Sequence, residues 1–159
     1  MTAEFVLDGS LTMAWCFEDE ASPETDEIQD WLIAGARAYV PTLWHLEIAN
    51  VLWACERRNR ITEADSVRFL AVLKALNITT DHQTEEHAGQ TTLGLARQHD
   101  LSVYDASYLE LAMRLGLPLA SKDEALRKAA QAVGLSILPA DIAVSPPRHA
   151  KKGGKKDAK

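Results

Sequence analysis

Apolar residues fall into short runs, each followed by a longer stretch whose apolar positions recur every three or four residues. Residues 4–8 (EFVLD) form the first run, stopped by Gly9. Ser22 followed by Pro23 reads as an N-cap with proline at the first helical position, opening a helix to about residue 35. A second run at 38–41 leads to Thr42, which can cap a helix reaching about residue 58. Another helix is expected over 62–76, where Asp65 stands three residues after its cap. The β-branched stretch 77–80 predicts a third strand, with a helix over 85–98 behind it. Asp105 begins a further helix that Gly116 ends, and 117–120 is a strand. Ser121 with Glu124 then forms a capping box for a helix to residue 132, before a last strand at 135–138.

Short apolar strands alternating with helices predict a mostly parallel sheet covered on both faces, because a parallel crossover needs a helix. The expected fold class is α/β with three layers. Ligands in such sheets bind at the carboxyl ends of the strands, near the point where strand order reverses. Residues at those ends therefore carry the functional argument.

The chain has 159 residues, 47% of them hydrophobic and 25% charged, as expected for one globular domain. The domain is expected over 1–144, with a disordered basic tail over 145–159, where apolar residues almost vanish. No apolar run approaches a bilayer span, and Glu4 and Asp8 occupy the place where a signal peptide would be basic and then apolar. A cytoplasmic protein is expected. Cys16 and Cys55 lack the spacing of a metal or redox motif and read as reduced core fillers.

The net charge of −6 hides an asymmetry: residues 1–147 hold 11 basic and 22 acidic side chains, whereas 148–159 hold six basic and one acidic. An acidic body argues against a broad basic face for nucleic acid. A polyanion would have to be met locally, by metal ions or a few arginines.

Four carboxylates stand out at strand ends and helix starts. Asp8 closes the first strand, with Ser10 two residues on. Asp before Gly commonly forms a turn, yet LTMAW follows rather than a partner strand. Glu47 is the one charged side chain between Thr42 and Cys55, among Leu43, Ile48, Val51, Leu52 and Trp53. Such a carboxylate is costly to bury unless an arginine, another cation or several donors meet it. Asn50, one turn on, could orient it or a bound water. Asp105 and Asp123 each have an ordinary explanation, as an N-cap and as a first-turn acid.

The combination is more informative than any member, because a parallel sheet would bring all four to one edge. Two carboxylates about 5 Å apart repel by roughly 3 kcal/mol at an effective dielectric of 20, so four need a counter-charge. Mg²⁺ or Mn²⁺ suits an all-oxygen cluster and leaves positions for phosphate oxygens.

The same residues resemble a known family. FVLDGS, LEIANVLW, YDASYLELA and LPLASKDEAL are similar to the four acidic elements of PIN-domain ribonucleases, and in particular of the toxins of VapBC toxin/antitoxin pairs. The resemblance covers residues 4 to about 139, with Ser121 where threonine is more usual. It implies a Rossmann-like sheet, Mg²⁺-dependent endoribonuclease activity with Mn²⁺ as a substitute, a homodimer, and inhibition by a cognate antitoxin. It also implies that Asp8, Glu47, Asp105 and Asp123 are the catalytic metal-binding carboxylates, supported by Ser10, Asn50 and Ser121. On that basis a metal-activated water would hydrolyse the RNA phosphodiester. Asp8 and Asp105 would be central ligands, with Glu47 and Asp123 completing the shell or holding the water.

Two other functions compete. An aspartyl-phosphate phosphoryl-transfer domain would need a second Asp beside Asp8 or two residues on, where this chain has Gly9 and Ser10. A non-catalytic interaction module would use the carboxylates to bind a partner's arginines. Three further features read as structural. The seven acids between Glu18 and Asp30 suit a solvated loop and helix start. Arg57, Arg58 and Arg60 suit a helix C-terminus, although they could also meet RNA phosphates. Trp15, Trp31, Trp44 and Trp53 suit a core or an interface.

Overall fold

A computed structural model describes residues 3–140; the expected tail lies outside the described residues. Five strands run in chain order: β1 (Glu4–Leu7), β2 (Arg37–Pro41), β3 (Ile78–Asp81), β4 (Leu119–Ala120) and β5 (Ile137–Leu138). All pairings are parallel, in the order β3-β2-β1-β4-β5. Helices cover the sheet in a three-layer α/β/α arrangement, as the strand-helix alternation predicts. Phe5, Val6 and Leu7 are fully buried, which is why β1 reads as an unbroken apolar run rather than an alternating one.

The helices are α1 (Gly9–Ala14), α2 (Pro23–Ile33), α3 (Leu43–Arg57), α4 (Glu63–Ala75), α5 (Thr84–His87), α6 (Leu93–His99), α7 (Val103–Leu115) and α8 (Glu124–Ala132). Two caps match the sequence. Ser22 and Thr25 close a reciprocal box at α2, with Pro23 in the first turn, and Thr62 and Asp65 do the same at α4. Three others differ. Thr42 makes no cap bond; its hydroxyl donates instead to the Asp81 carbonyl. Ser102 caps α7, its oxygen accepting from the Asp105 N–H, so the Asp105 carboxylate is free of that duty. Asp123, not Ser121 with Glu124, caps α8 by accepting from the Leu126 N–H.

Two further differences have local causes. The helix expected over 85–98 is broken by a π-helical turn, Ala88–Thr92, where Gly89 and two threonines weaken the α-helical register. Helix α1 was not expected, since six residues are too few to leave a periodic signature. It starts directly after Asp8, so the Asp8-Gly9 pair is a strand-to-helix junction and not a hairpin turn.

Strand order reverses between β1 and β4, the chain having built β2 and β3 on one side of β1 and β4 and β5 on the other. The Asp8 N–H donates to the Ala120 carbonyl at 2.9 Å, which places the ends of β1 and β4 together at that reversal. Arg127, itself buried, binds this edge from behind. Its guanidinium donates to the carbonyls of Ser121, Leu138 and Pro139.

Both cysteines are free thiols, Cys55 buried and Cys16 partly so. Burial pushes the Cys16 thiol up, keeping it protonated and unreactive. No helix among the described residues is long and apolar enough to cross a membrane.

Candidate active site

Asp8 lies at the centre of the strand-order reversal, with 4% of its surface exposed. Two hydroxyls donate to its Oδ2, Ser10 Oγ and Ser121 Oγ, each at 2.6 Å. The same hydroxyls are locked from the other side. Ser10 Oγ accepts from the Lys122 N–H and Ser121 Oγ from the Asp123 N–H, both at 3.0 Å. Ser121 is thus fully committed to Asp8 and to its own loop, which explains why it does not cap α8. Among the described residues no hydrogen bond reaches Asp8 Oδ1.

Glu47 projects from α3 toward the same point. The Tyr108 hydroxyl, from α7, donates to its Oε2 at 3.1 Å. A Cβ added to Gly9 would stand 3.0 Å from that oxygen, so a side chain at position 9 would crowd the carboxylate. Sequence reasoning missed Tyr108. Its phenol is fully buried and three residues past Asp105, a spacing that reads equally well as core packing.

Charge completes the picture. Burial is the largest influence raising Asp8, opposed by its two serine hydrogen bonds and reinforced by the charges of Asp105 and Asp123. Burial likewise pushes Glu47 up to about 7, against the Tyr108 hydrogen bond and together with the Asp8 and Asp105 charges. Asp105 is raised by burial and then by Asp123, with Ser102 opposing. The Tyr108 phenol is driven far above its usual range by burial and by Asp8 and Glu47. Asp8 and Asp105 therefore lie within electrostatic reach of each other and of both Glu47 and Asp123.

No ion pair involves any of the four among the described residues. The arginine partner that would make Glu47 a structural residue is absent there. Asn50 stands exposed one turn on, without a hydrogen bond to Glu47.

Whether these residues suit a metal can be tested on their chemistry. Among the described residues, no three His, Cys, Asp or Glu side chains close on one point at coordinating spacing. In kind, however, they fit a hard divalent ion. Every donor is an oxygen, and among the described residues the four carboxylates have no ion-pair partner and Asp8 keeps one oxygen free while two hydroxyls fix the other.

Other features resolve into structural roles. Arg60 pairs with Asp19 and Glu20 and lies 3.9 Å above the Phe17 ring, accounting for part of the acidic run. Trp44 is buried and its indole donates to Thr12 Oγ1, while Trp15 donates to the Thr25 carbonyl. Trp31 packs partly buried against the core. Trp53 is the exception, 58% exposed.

A PIN-domain family model matches residues 5–132. The chain belongs to the PIN-domain family. The VapC ribonuclease Mb0985 of Mycobacterium bovis is 31% identical over 132 residues, which span 80% of this chain and 91% of that protein. This places the chain among the VapC-type PIN domains. Among solved structures, PAE2754 from Pyrobaculum aerophilum superposes with a TM-score of 0.63 at 24% identity, covering 86% of this chain and 90% of that one. VapBC2 from Rickettsia felis, bound to a DNA fragment from its promoter, gives 0.58 at 8% identity, covering 84% and 96%. Both share the fold of this chain.

Proposed function

We propose that this PIN domain is an endoribonuclease that uses a divalent cation, Mg²⁺ or in its place Mn²⁺, and acts as the toxin of a toxin/antitoxin pair. The observation that carries this reading is an oxygen-only set of carboxylates at the strand-order reversal, Asp8 buried and Glu47, Asp105 and Asp123 partly so, with no ion pair to any of them among the described residues. Asp8, Glu47, Asp105 and Asp123 would hold the ion. When bound, the cation supplies a Lewis acid for the scissile phosphate and acidifies a water.

The chain's own residues then have separable tasks. Ser10 and Ser121 hold Asp8 by its Oδ2, which leaves Oδ1 as the oxygen that would meet an ion. Tyr108 orients Glu47 by donating to its Oε2, which leaves Oε1 as the oxygen that would meet the ion or its bound water. Asp123 spends Oδ1 on capping α8 and offers Oδ2. Asn50, exposed beside Glu47, is placed to meet substrate rather than to hold the carboxylate.

An antitoxin partner is supported by the VapBC2 neighbour, which is a complex of toxin and antitoxin. The exposed apolar Val67 and Leu70 of α4, beside a groove of about 380 Å³ lined by Trp44, Ile48 and Leu73, offer such a partner a surface. A homodimer is proposed as well, and size-exclusion chromatography with and without the antitoxin reports both.

The deciding experiment incubates purified, antitoxin-free protein with total RNA and Mg²⁺ and maps new 5′ ends. Mn²⁺ at a hundredfold excess over its Kd should stabilise the wild type by about 2.7 kcal/mol. Asp8→Asn combined with Asp105→Asn should abolish both that shift and cleavage. A double variant that cuts RNA as fast as wild type overturns the site.

A further inference from the structure

The α3 helix that carries Glu47 ends in two arginines, on an acidic body whose Arg60, Arg114 and Arg127 are engaged elsewhere. Arg57 and Arg58 make no ion pair among the described residues, both are exposed, and with Ala54 they line a cavity of about 200 Å³. At 100° per residue, Ala54 and Arg58 lie within about 20° of Glu47 around the helix, and Asn50 and Arg57 within about 80° on one side. Trp53 follows on that side. Its ring is exposed, and the Arg57 guanidinium lies over it at 5.9 Å from the centroid.

One helix face therefore leads from the acidic centre through a polar amide and a small residue to a stacked indole and two guanidinium groups. Along the axis, Glu47 to Arg58 spans about 16 Å at 1.5 Å per residue. That is about three to five nucleotides of single strand, taking 3.4 Å per nucleotide when stacked and more when extended. Exposed aromatic rings stack bases without regard to sequence, and arginine meets phosphate in bidentate fashion. On an acidic body, a local pair of arginines with no ion pair among the described residues, beside an aromatic platform, sets the direction in which a strand can lie.

We infer that the face of α3 formed by Asn50, Trp53, Arg57 and Arg58 is a binding track for single-stranded RNA, holding the strand three to five nucleotides from the cleaved bond. This inference rests on the nuclease reading and adds to it a site for the flanking strand. It makes Trp53 a base-stacking residue and Arg57 and Arg58 phosphate-binding residues.

The test uses the full chain in EDTA, so that RNA is bound but not cut. A fluorescein-labelled 12-nucleotide single-stranded RNA of mixed sequence is titrated at several salt concentrations, with a trinucleotide as control. Arg57→Gln with Arg58→Gln should weaken 12-mer binding about tenfold at 0.1 M salt and lower the slope of log K against log salt by about 1.4, at about 0.7 per phosphate contact. The trinucleotide should bind both proteins equally, and Arg57→Lys with Arg58→Lys should restore most of the slope. Trp53→Ala should cost at least fivefold, and the 12-mer should quench Trp53 emission in the wild type. Unchanged affinity and slope in the double Gln variant, with the wild type still binding RNA, would overturn the track alone. A wild type that binds neither RNA and cuts none with Mg²⁺ would overturn the nuclease reading beneath it. If Trp53→Ala instead leaves RNA binding intact and splits a dimer on size exclusion, the surface is a protein contact and the track is wrong.

Discussion

Glu47→Gln gives the sharpest separation between a structural and a functional carboxylate. In the wild type, burial and the charges of Asp8 and Asp105 raise the Glu47 carboxyl from 4.5 to about 7. The native state therefore binds more protons than the unfolded state between those two values, and stability falls as pH rises through that window. Below about pH 4.5 the group is neutral in both states and costs nothing. Above about pH 7 it is ionised in both and the full cost is present.

At about 1.4 kcal/mol per pH unit of displacement, the upper limit is about 3 kcal/mol. Glu47 is only half-buried, and water on its open side screens the interaction, so about 1.5 kcal/mol is a fairer figure. Glutamine keeps an oxygen that can accept from the Tyr108 hydroxyl, which leaves the loss of charge as the main change. Glu47→Gln should thus match wild type near pH 4.5 and exceed it by about 1.5 kcal/mol at pH 8. For about 140 folded residues that is a rise in Tm of about 5 °C, taking about 2.1 cal/mol/K per residue. Urea and thermal unfolding in EDTA at pH 5 and pH 8 measure it. A variant equally or less stable at pH 8, or one whose advantage is the same at both pH values, would show that Glu47 is a packing residue and that the charge argument is wrong.

Two other substitutions probe the surroundings. Gly9→Ala places a methyl 3.0 Å from Glu47 Oε2, a contact relieved by displacing that side chain; Mn²⁺ affinity should drop severalfold with less than about 1 kcal/mol lost in unfolding, and unchanged affinity by calorimetry would refute the close approach. Arg114 binds Asp81 and the buried Glu110, holding the Asp81 carboxyl below its usual range, so Arg114→Met should cost about 2–3 kcal/mol at neutral pH. Because Asp81 is depressed, its share of that stability is lost as pH falls below about 4; a loss under 1 kcal/mol at pH 7 in urea unfolding would sink the assignment.

The α/β class and the parallel sheet were legible because the strands are short apolar runs with helices between them, and this pattern has few other solutions. Glu47 was legible for a related reason: one charge on an otherwise uncharged helix requires a cause outside that helix. Caps were legible where the competition is local, as at Ser22 and Thr62. They failed at Ser121 and Asp105, where a tertiary demand or a better neighbour wins. The Ser121 hydroxyl is claimed by Asp8, 113 residues away, and Ser102 reaches the Asp105 N–H first. Tyr108 could not have been chosen from the sequence, since its hydroxyl meets Glu47 only when α3 and α7 are packed over Gly9.

The distribution of cations turns these separate observations into one argument. Arg60 is spent on Asp19 and Glu20, Arg68 on Asp65, Arg114 on Asp81 and Glu110, and Lys128 on Glu124. Arg127 sits directly behind the site, yet its guanidinium is turned to three backbone carbonyls and stiffens the edge that holds Ser121. Six acids are thus paired with cations, whereas Asp8, Glu47, Asp105 and Asp123 make no ion pair among the described residues, and burial first, then repulsion among them, raises the carboxyls of Asp8, Glu47 and Asp105. A fold selected only for stability would remove that repulsion with a single Gln or a single Arg. Its retention makes sense if a ligand from outside relieves it, and the substitution that most stabilises the empty protein should then be one that disables the loaded one.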